Sequence, residues 1–335
     1  MKEQLAIGVD VGGTKVAAGL VDARGQILMQ TRRPMVARNS AEQGLACLLE
    51  AVAEVRASGA VHEGRLVGIG ISTPGHLNLT EGRVIRAANL PCWVDYPLIA
   101  DVAKATGLAA KLDNDGNAAA LAEAVWGAGV GYYSVFYVTL GTGIGTGIVM
   151  DGRVLHGHTG SAGEGGHIVI DYNGPKCPCG KRGCIEQYAA GPAIVHRAHA
   201  KLTGAKSRPG RVAHKRIEQP SKMLELAGGK LDNLTAEIVG KAALEGDLLA
   251  TEVLQETADC LAIWLGGIID LLEPDVIVVG GGLGHLMGTF FGYMRGQLDR
   301  WSIAPRANEI PIVGAVYGPV SGIAGAAALC LNPHE

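Results

Sequence analysis

Aromatic residues are scarce in this chain, with three phenylalanines, eight tyrosines and four tryptophans among 335 residues. Charge is also low, at 18% of residues with a formal net of −3. No long basic run occurs, which excludes nucleic acid as the expected partner. No apolar stretch is fit to span a bilayer: the most apolar one, Leu261–Val279, is interrupted by Asp270, Glu273, Pro274 and Asp275. The opening MKEQLAIGVDVGG has too short an apolar run for a secretory leader, so the expected compartment is the reducing cytoplasm. Seven cysteines give no disulfide framework, since three are clustered and Cys47, Cys92, Cys260 and Cys330 are scattered. Two nucleotide signatures are missing as well. No glycine run has GxxxxGK[ST] spacing leading into a helix, and none has GxGxxG spacing, which sets a nicotinamide cofactor aside.

Glycine is what the chain has in excess. Fifty glycines are about twice the usual ~7% share, without collagen periodicity, and imply tight turns and close backbone approach. Hydrophobic content of 48% over 335 residues describes an extensively buried protein too long for one ordinary core, so two domains are expected. The glycines fall in a repeated design. Leu5–Val9 is an apolar strand running into Asp10-Val-Gly12-Gly13-Thr14-Lys15, followed by a strand over Val16–Val21, the turn Asp22–Gly25 and a strand over Gln26–Thr31. Later come a strand over Val135–Leu140, a glycine turn over Gly141–Gly147, a strand over Ile148–Met150, the turn Asp151-Gly152 and Arg153–Leu155. A single such turn is more often a plain hairpin than an anion-binding nest. Two ribbons of one design imply a duplicated architecture, each half offering a loop to one ligand.

Between the ribbons, Ala41–Ala57 has helical spacing, Leu66–Ile71 is a buried strand ending in Ser72-Thr-Pro-Gly75, and Asn89–Trp93 is an extended loop around Pro91. A strand over Ala110–Leu112 leads into Asp113-Asn114-Asp115-Gly116-Asn117 and an alanine-rich helix over Ala118–Val125. One residue suffices to cap a helix, and four of these five are Asn or Asp. Beyond the second ribbon, Ile194–Leu202 begins a helical region. Thr203–Gly229 is a polar, basic excursion, and Ala236–Ala243 and Leu248–Leu272 are helical. Val276–Val279 is a buried strand entering Gly280-Gly-Gly-Leu-Gly284, either a surface for a flat group or a plain strand-to-helix turn. Val320–Leu331 is a last small-residue helix. The class is α/β, with a mixed sheet flanked by helices.

The most chemically specific stretch is Gly160–Gly191. His167, Cys177, Cys179 and Cys184 are the ligand set of a closed tetrahedral Cys3His zinc site. Gly180 and Gly183 stand between the thiols, where a chain winding round an ion needs positive φ. Glu164 and Glu186 are interleaved with the ligands. By themselves they are either positioned for a polyhydroxylated ligand or solvated beside a structural staple.

These motifs, in this order, resemble the ROK family of sugar kinases, close to its bacterial glucokinase members, from Asp10 to about Ala328. They are DVGGTK at 10–15, NLPCW at 89–93, DNDGNAAA at 113–120, LGTGIGTG at 140–147, GEGGH at 163–167, CPCGKRGCIE at 177–186 and VVGGGLG at 278–284. Cys92, where many relatives have glycine, and the excursion Thr203–Gly229 depart from the pattern. The resemblance implies an actin-like, ribonuclease H-like ATPase fold of two domains with a structural zinc site. Residues 1–117 with 318–335 would form the smaller domain and 118–317 the larger, zinc-bearing one, with the site in the cleft between them. It implies ATP-dependent phosphorylation of a hexose 6-hydroxyl, feeding glycolysis. Glucose is the expected substrate, and N-acetylglucosamine, N-acetylmannosamine, mannose or fructose the alternatives.

Carried over residue by residue, Asp115 is the general base. Asn89, Asn114, Glu164, His167 and Glu186 contact sugar hydroxyls. Asp10, Gly12, Gly13, Thr14 and Lys15 face one phosphate, Thr142 and Gly143 another, and Gly281 and Gly282 line the adenosine. Asp10 holds Mg²⁺ through water, and zinc is structural because its four positions are filled. The partners are then hexose and ATP, with no nucleic acid and no membrane, in a homodimer or dimer of dimers. A repressor of the same family needs a winged helix-turn-helix ahead of Asp10, where nine residues stand. A sugar sensor without catalysis fits poorly with an intact DNDGN and two glycine loops.

Overall fold

The computed structural model describes residues 3–36, 40–58, 61, 64–204, 221–332 and 334. Contacts divide the chain into two units, Met1–Tyr137, Thr146–Glu164 and Ala315–Glu335 in the first, Val138–Gly145 and Gly165–Gly314 in the second. Helix α3 (Asp115–Trp126) packs on the C-terminal helix α11 (Ser321–Leu331) inside the first unit.

The elements before α3 are β1 (Gln4–Val11), β2 (Lys15–Asp22), β3 (Ile27–Pro34), α1 (Ala41–Arg56), β4 (Arg65–Thr73), β5 (His76–Asn78), β6 (Arg83–Arg86), β7 (Val94–Tyr96), α2 (Leu98–Thr106) and β8 (Ala110–Asn114). They form a five-stranded sheet of order β3-β2-β1-β4-β8 and a three-stranded sheet β5-β6-β7. Strands β1 to β3 are antiparallel, while β4 runs parallel to β1 and to β8. The alternation along β1 explains the layers. Leu5, Ile7, Val9 and Val11 face a core shared with α1, including Leu48, Val52 and Val55. Ala6 and Gly8 face the other way, toward α11. A Cβ on Gly8 would stand 1.9 Å from the Ile323 carbonyl oxygen, and one on Gly70 of β4 1.6 Å from that of Ala326. Only glycine lets the helix lie this close to the sheet.

The remaining elements are β9 (Ser134–Leu140), β10 (Ile144–Met150), β11 (Arg153–Val154), α4 (Glu186–Ala189), α5 (Gly191–Thr203), α6 (Lys222–Leu226), α7 (Ala236–Leu244), α8 (Leu248–Leu272), β12 (Val276–Gly280), α9 (Gly282–Met287), α10 (Phe291–Trp301) and β13 (Ile312–Gly314), before α11. The second sheet has the order β11-β10-β9-β12-β13. Its third, second, first, fourth and fifth strands follow one another as in the first sheet, so the architecture is duplicated as the two ribbons predict. Within β9 and β10 the chain passes from one unit to the other. The glycine turn is shorter than the sequence predicts: β10 already starts at Ile144. Gly147 lies in that strand because a Cβ there would meet the Ala120 Cβ at 2.5 Å and the Gly116 carbonyl oxygen at 2.7 Å.

Helix α8 has Asp247 as its N-cap, accepting the Ala250 N–H at 3.0 Å, and ends at Glu273 in the left-handed region just before Pro274. The short strands β5 to β7 and the helices α2 and α10 are not among the elements expected from the sequence. Of the basic excursion, residues 205–220 lie outside the described ones, and α6 stands at its far end. Among the described residues, no helix is long and apolar enough to cross a membrane.

Candidate functional site

Strand β8 ends in Asp113-Asn114 and α3 begins at Asp115, so the polar residues of DNDGN crowd one helix start. Asp113 is only 1% exposed. Its Oδ1 accepts the Asn114 N–H at 2.7 Å and the Asn117 side-chain amide at 2.9 Å, and its Oδ2 lies 2.7 Å from His156 Nε2. Asp113 and Asn117 are thereby committed to holding the turn. Asn114 is the helix cap, accepting the Gly116 N–H at 2.9 Å. Asp115 alone keeps an available carboxylate, tied only to backbone N–H groups of its own helix start, with Gly116 at 2.9 Å, and exposed to water.

The dipole of a helix N-terminus by itself predicts a low pKa for Asp115. The structure corrects this. Protein crowds the carboxylate and strips solvating water from it, which raises its pKa above the ordinary 3.8. The Gly116 N–H opposes the shift, and the negative charges of Asp10 and Glu164 add to it. Lost hydration outweighs what one helix terminus returns.

Asp10, near the end of β1, is half-buried. The parallel register places Ser72 beside it, and Ser72 Oγ donates to Asp10 Oδ1 at 3.2 Å. Burial raises its pKa, while Ser72, Lys15 and Arg32 lower it. A Cβ on Gly322, in the first turn of α11, would sit 2.4 Å from Asp10 Cγ, so only glycine leaves this carboxylate room. The neighbouring turn closes through the Gly12 N–H to the Lys15 carbonyl at 2.9 Å, with Thr14 and Lys15 exposed. A Cβ at Gly13 would lie 2.7 Å from both the Cβ and the carbonyl oxygen of Asn89. The first unit thus brings together Asp10, Gly13, Asn89, Asn114, Asp115 and Glu164.

In the second unit the turn at Gly141 closes with its N–H on the Gly143 carbonyl at 3.0 Å. Glu186, the first residue of α4, accepts the Ile144 N–H at 3.0 Å, and its Oε2 would be 2.6 Å from a Cβ on Gly143. A glutamate assigned to sugar thus touches a loop assigned to phosphate. Gly281, at φ +80°, packs on the end of β9, where a Cβ would be 2.3 Å from the Leu140 carbonyl oxygen. Thr142 and Gly282 are exposed, and the space around Gly282 is open.

His167, Cys177, Cys179 and Cys184 converge, with their ligand atoms all within 4.8 Å of one another. His167 Nδ1 is 3.6 Å from Cys177 Sγ, and Cys179 Sγ is 3.6 Å from Cys184 Sγ. The sulfurs are too far apart for a disulfide. Gly180 and Gly183 have positive φ, at 95° and 74°. Burial, with Cys179 and Cys177 alongside, pushes the Cys184 thiol up to about 12. A bound cation would offset the cost of ionising such thiols. The group therefore suits a four-coordinate metal site. Gln187 Nε2 donates toward Cys177 Sγ at 3.7 Å, and Trp264 Nε1 holds the Gly165 carbonyl at 3.1 Å.

Ser72, His156 and Gly322 are the neighbours that sequence reasoning does not find. Each reaches its partner only through strand pairing or helix packing, and no motif marks them.

The chain matches the ROK family over residues 6–332. It is 34% identical over 323 residues to a glucokinase of Thermotoga maritima, covering 96% of each chain. An N-acetyl-D-glucosamine kinase of Escherichia coli is 31% identical over 335 residues, covering 97% of this chain and 99% of that one. Among solved structures, a ROK family glucokinase from Streptomyces griseus in complex with glucose and AMPPNP superposes with a TM-score of 0.78. It is 33% identical and covers 97% of this chain and 99% of that one.

Proposed function

The chain belongs to the ROK family, and from that premise we propose that it transfers the γ-phosphoryl group of ATP to the 6-hydroxyl of glucose. The observation that carries the reading is Asp115. It is the one carboxylate of its motif that is water-accessible and left without a side-chain partner, beside Asp10 and Glu164. A general base needs this availability and a pKa above that of a surface aspartate. Asp115 takes the proton of the 6-hydroxyl as the oxygen attacks phosphorus, and Asn89, Asn114, Glu164, His167 and Glu186 hold the other hydroxyls. Gly12, Gly13, Thr14 and Lys15 cradle one phosphate, Thr142 and Gly143 another, and Gly281 and Gly282 flank the adenosine. Asp10, with Gly322 leaving it room, holds Mg²⁺ through water. When bound, that ion would supply charge neutralisation at the phosphates.

The metal of the Cys3His cluster is zinc in this reading. A tetrahedral ion with Zn–S of ~2.3 Å and Zn–N of ~2.0–2.1 Å sets S···S edges of ~3.8 Å and S···N edges of ~3.6 Å. The observed 3.6 Å separations fit both. Four protein ligands leave no open position, so zinc serves structure. His167, Cys177, Cys179 and Cys184 would hold it, and it would fix His167 and, through the short Cys184–Glu186 spacing, the start of α4 with Glu186.

The similarity to an N-acetyl-D-glucosamine kinase supports a second reading, in which the 2-acetylamino sugar is the acceptor. A coupled ADP-release assay across glucose, mannose, fructose, N-acetylglucosamine and N-acetylmannosamine tests both. The highest kcat/KM on glucose is expected; a higher value on either acetylamino sugar replaces the first reading by the second.

A further inference from the structure

Two cations are felt at Asp10, Lys15 and Arg32, and Arg32 has no role in the proposed reaction. Strands β1, β2 and β3 pair so that Asp10 stands opposite Ala17 and Ala17 opposite Arg32. Residues directly opposite across antiparallel strands project from the same face. The three therefore line up across the sheet, with Ala17 between acid and arginine, buried in the cluster that holds Ile323 and Ala327 of α11. That face is the one on which α11 begins, since a Cβ on Gly322 would strike Asp10. Lys15 lies two residues from Ala17 on the same strand and shares its face. A carboxylate, a lysine and an arginine thus surround one small residue beside the Gly12-Gly13-Thr14 turn.

Arg33, the next residue along, projects to the opposite face. There it pairs with Glu50 at 3.0 Å and Glu54 at 2.9 Å, both on α1. Arg32 has no hydrogen bond or ion pair among the described residues, and it is exposed. Charge on an edge strand such as β3 also serves to discourage pairing with another sheet. That role has no need of Asp10, of Lys15 or of an alanine between them. A guanidinium is a planar fork that matches two phosphate oxygens at once, whereas a lysine is a point charge.

We propose that Arg32 is a phosphate-binding residue, reaching past Ala17 to the phosphates of the nucleotide beside Asp10 and Lys15. This rests on the reading of the chain as an ATP-dependent sugar kinase. The test uses the full chain as wild type, Arg32→Ala, Arg32→Lys and Arg33→Ala. KM for ATP is measured at saturating glucose, KM for glucose at saturating ATP, and MgADP affinity by calorimetry without sugar. Loss of one charge-assisted contact predicts that Arg32→Ala raises both KM for ATP and Kd for MgADP by about tenfold or more. KM for glucose should change little, Arg32→Lys should recover part of the loss, and the melting temperature should stay at the wild-type value. Arg33→Ala should lower the melting temperature and leave both nucleotide constants alone. Unchanged nucleotide constants in Arg32→Ala would make the residue a solvated edge charge. Equal rises in the KM for ATP and for glucose, or an equal nucleotide effect from Arg33→Ala, would overturn the proposal too. A wild type that phosphorylates glucose while Arg32→Ala is unaffected sinks this inference alone; a wild type that neither turns over nor binds MgADP sinks the kinase reading with it.

Discussion

Asp113 and Asp115 are two residues apart and do opposite things. Asp113 is enclosed, its two oxygens taken by Asn114, Asn117 and His156. Asp115 is water-accessible, with a pKa raised by crowding and by the charges of Asp10 and Glu164. Asp115→Asn keeps the shape and can still hydrogen bond a hydroxyl, but it cannot take the proton. Turnover should fall by ~10²-fold or more, the low end for a lost general base, while glucose affinity measured by titration changes little. Equal losses in both would make Asp115 a sugar anchor. The raised pKa also sets a pH profile. Wild-type kcat/KM should fall on the acid side as Asp115 takes a proton, at a pH above the ordinary 3.8, and the residual activity of the variant should lack that limb.

Stability moves the other way. A carboxyl whose folded pKa is raised holds its proton more tightly folded than unfolded, so its anion destabilises the fold. The penalty is absent below 3.8, grows as pH rises toward the raised folded value, and is full above it. Asp115→Asn should therefore melt higher than wild type at neutral pH, and the gap should close as pH falls through that window. A variant that melts lower at neutral pH would contradict the sign.

At the scale of elements, α3 carries Asp115 and α11 carries Gly322 beside Asp10, and the two helices meet at Gly325. A Cβ there would stand 2.0 Å from the Ala118 carbonyl oxygen. Gly325→Ala should overpack this contact at ~1–3 kcal/mol and displace the start of α3, so melting temperature and kcat should fall together. Gly267 is the control. It lies exposed in α8 with nothing near its Cβ position, so Gly267→Ala should stabilise by ~0.5–1 kcal/mol and leave kcat unchanged. A similar loss from both would discount the packing argument. The Cys3His stretch is a second such element, its four ligand atoms within 4.8 Å of one another. Metal analysis of protein purified without chelator should find about one zinc per chain, the number that four converging ligands imply. Stripping the metal should lower glucose affinity and thermal stability in parallel; no stoichiometric zinc would defeat the assignment.

For the whole molecule, a sugar that binds only the folded chain must raise its melting temperature. At a hundred times Kd the gain is ~2.7 kcal/mol, so thermal shifts across the hexose panel should rank with kcat/KM and put glucose first. A sugar that shifts melting strongly without turnover would point to a sensor. What the sequence by itself determined are the features written within a few residues. Alternating large and small side chains along β1, the repeat of the strand–glycine–strand ribbon, the Cys3His spacing and the polar start of α3 are all short-range patterns. Element types and the positions of candidate groups follow from them, because periodicity and ligand spacing are local properties of a chain. Allotment of hydrogen bonds among those groups is not local. His156 comes to Asp113 from 43 residues away, and the buried Glu123 of α3 accepts the Val316 N–H from 193 away. Which aspartate is enclosed and which is available, that Ser72 steadies Asp10, and that Arg32 and Arg33 face opposite ways were decided only by strand register and helix packing. A pKa depends on the atoms surrounding the group, and those atoms come together only when the chain is folded.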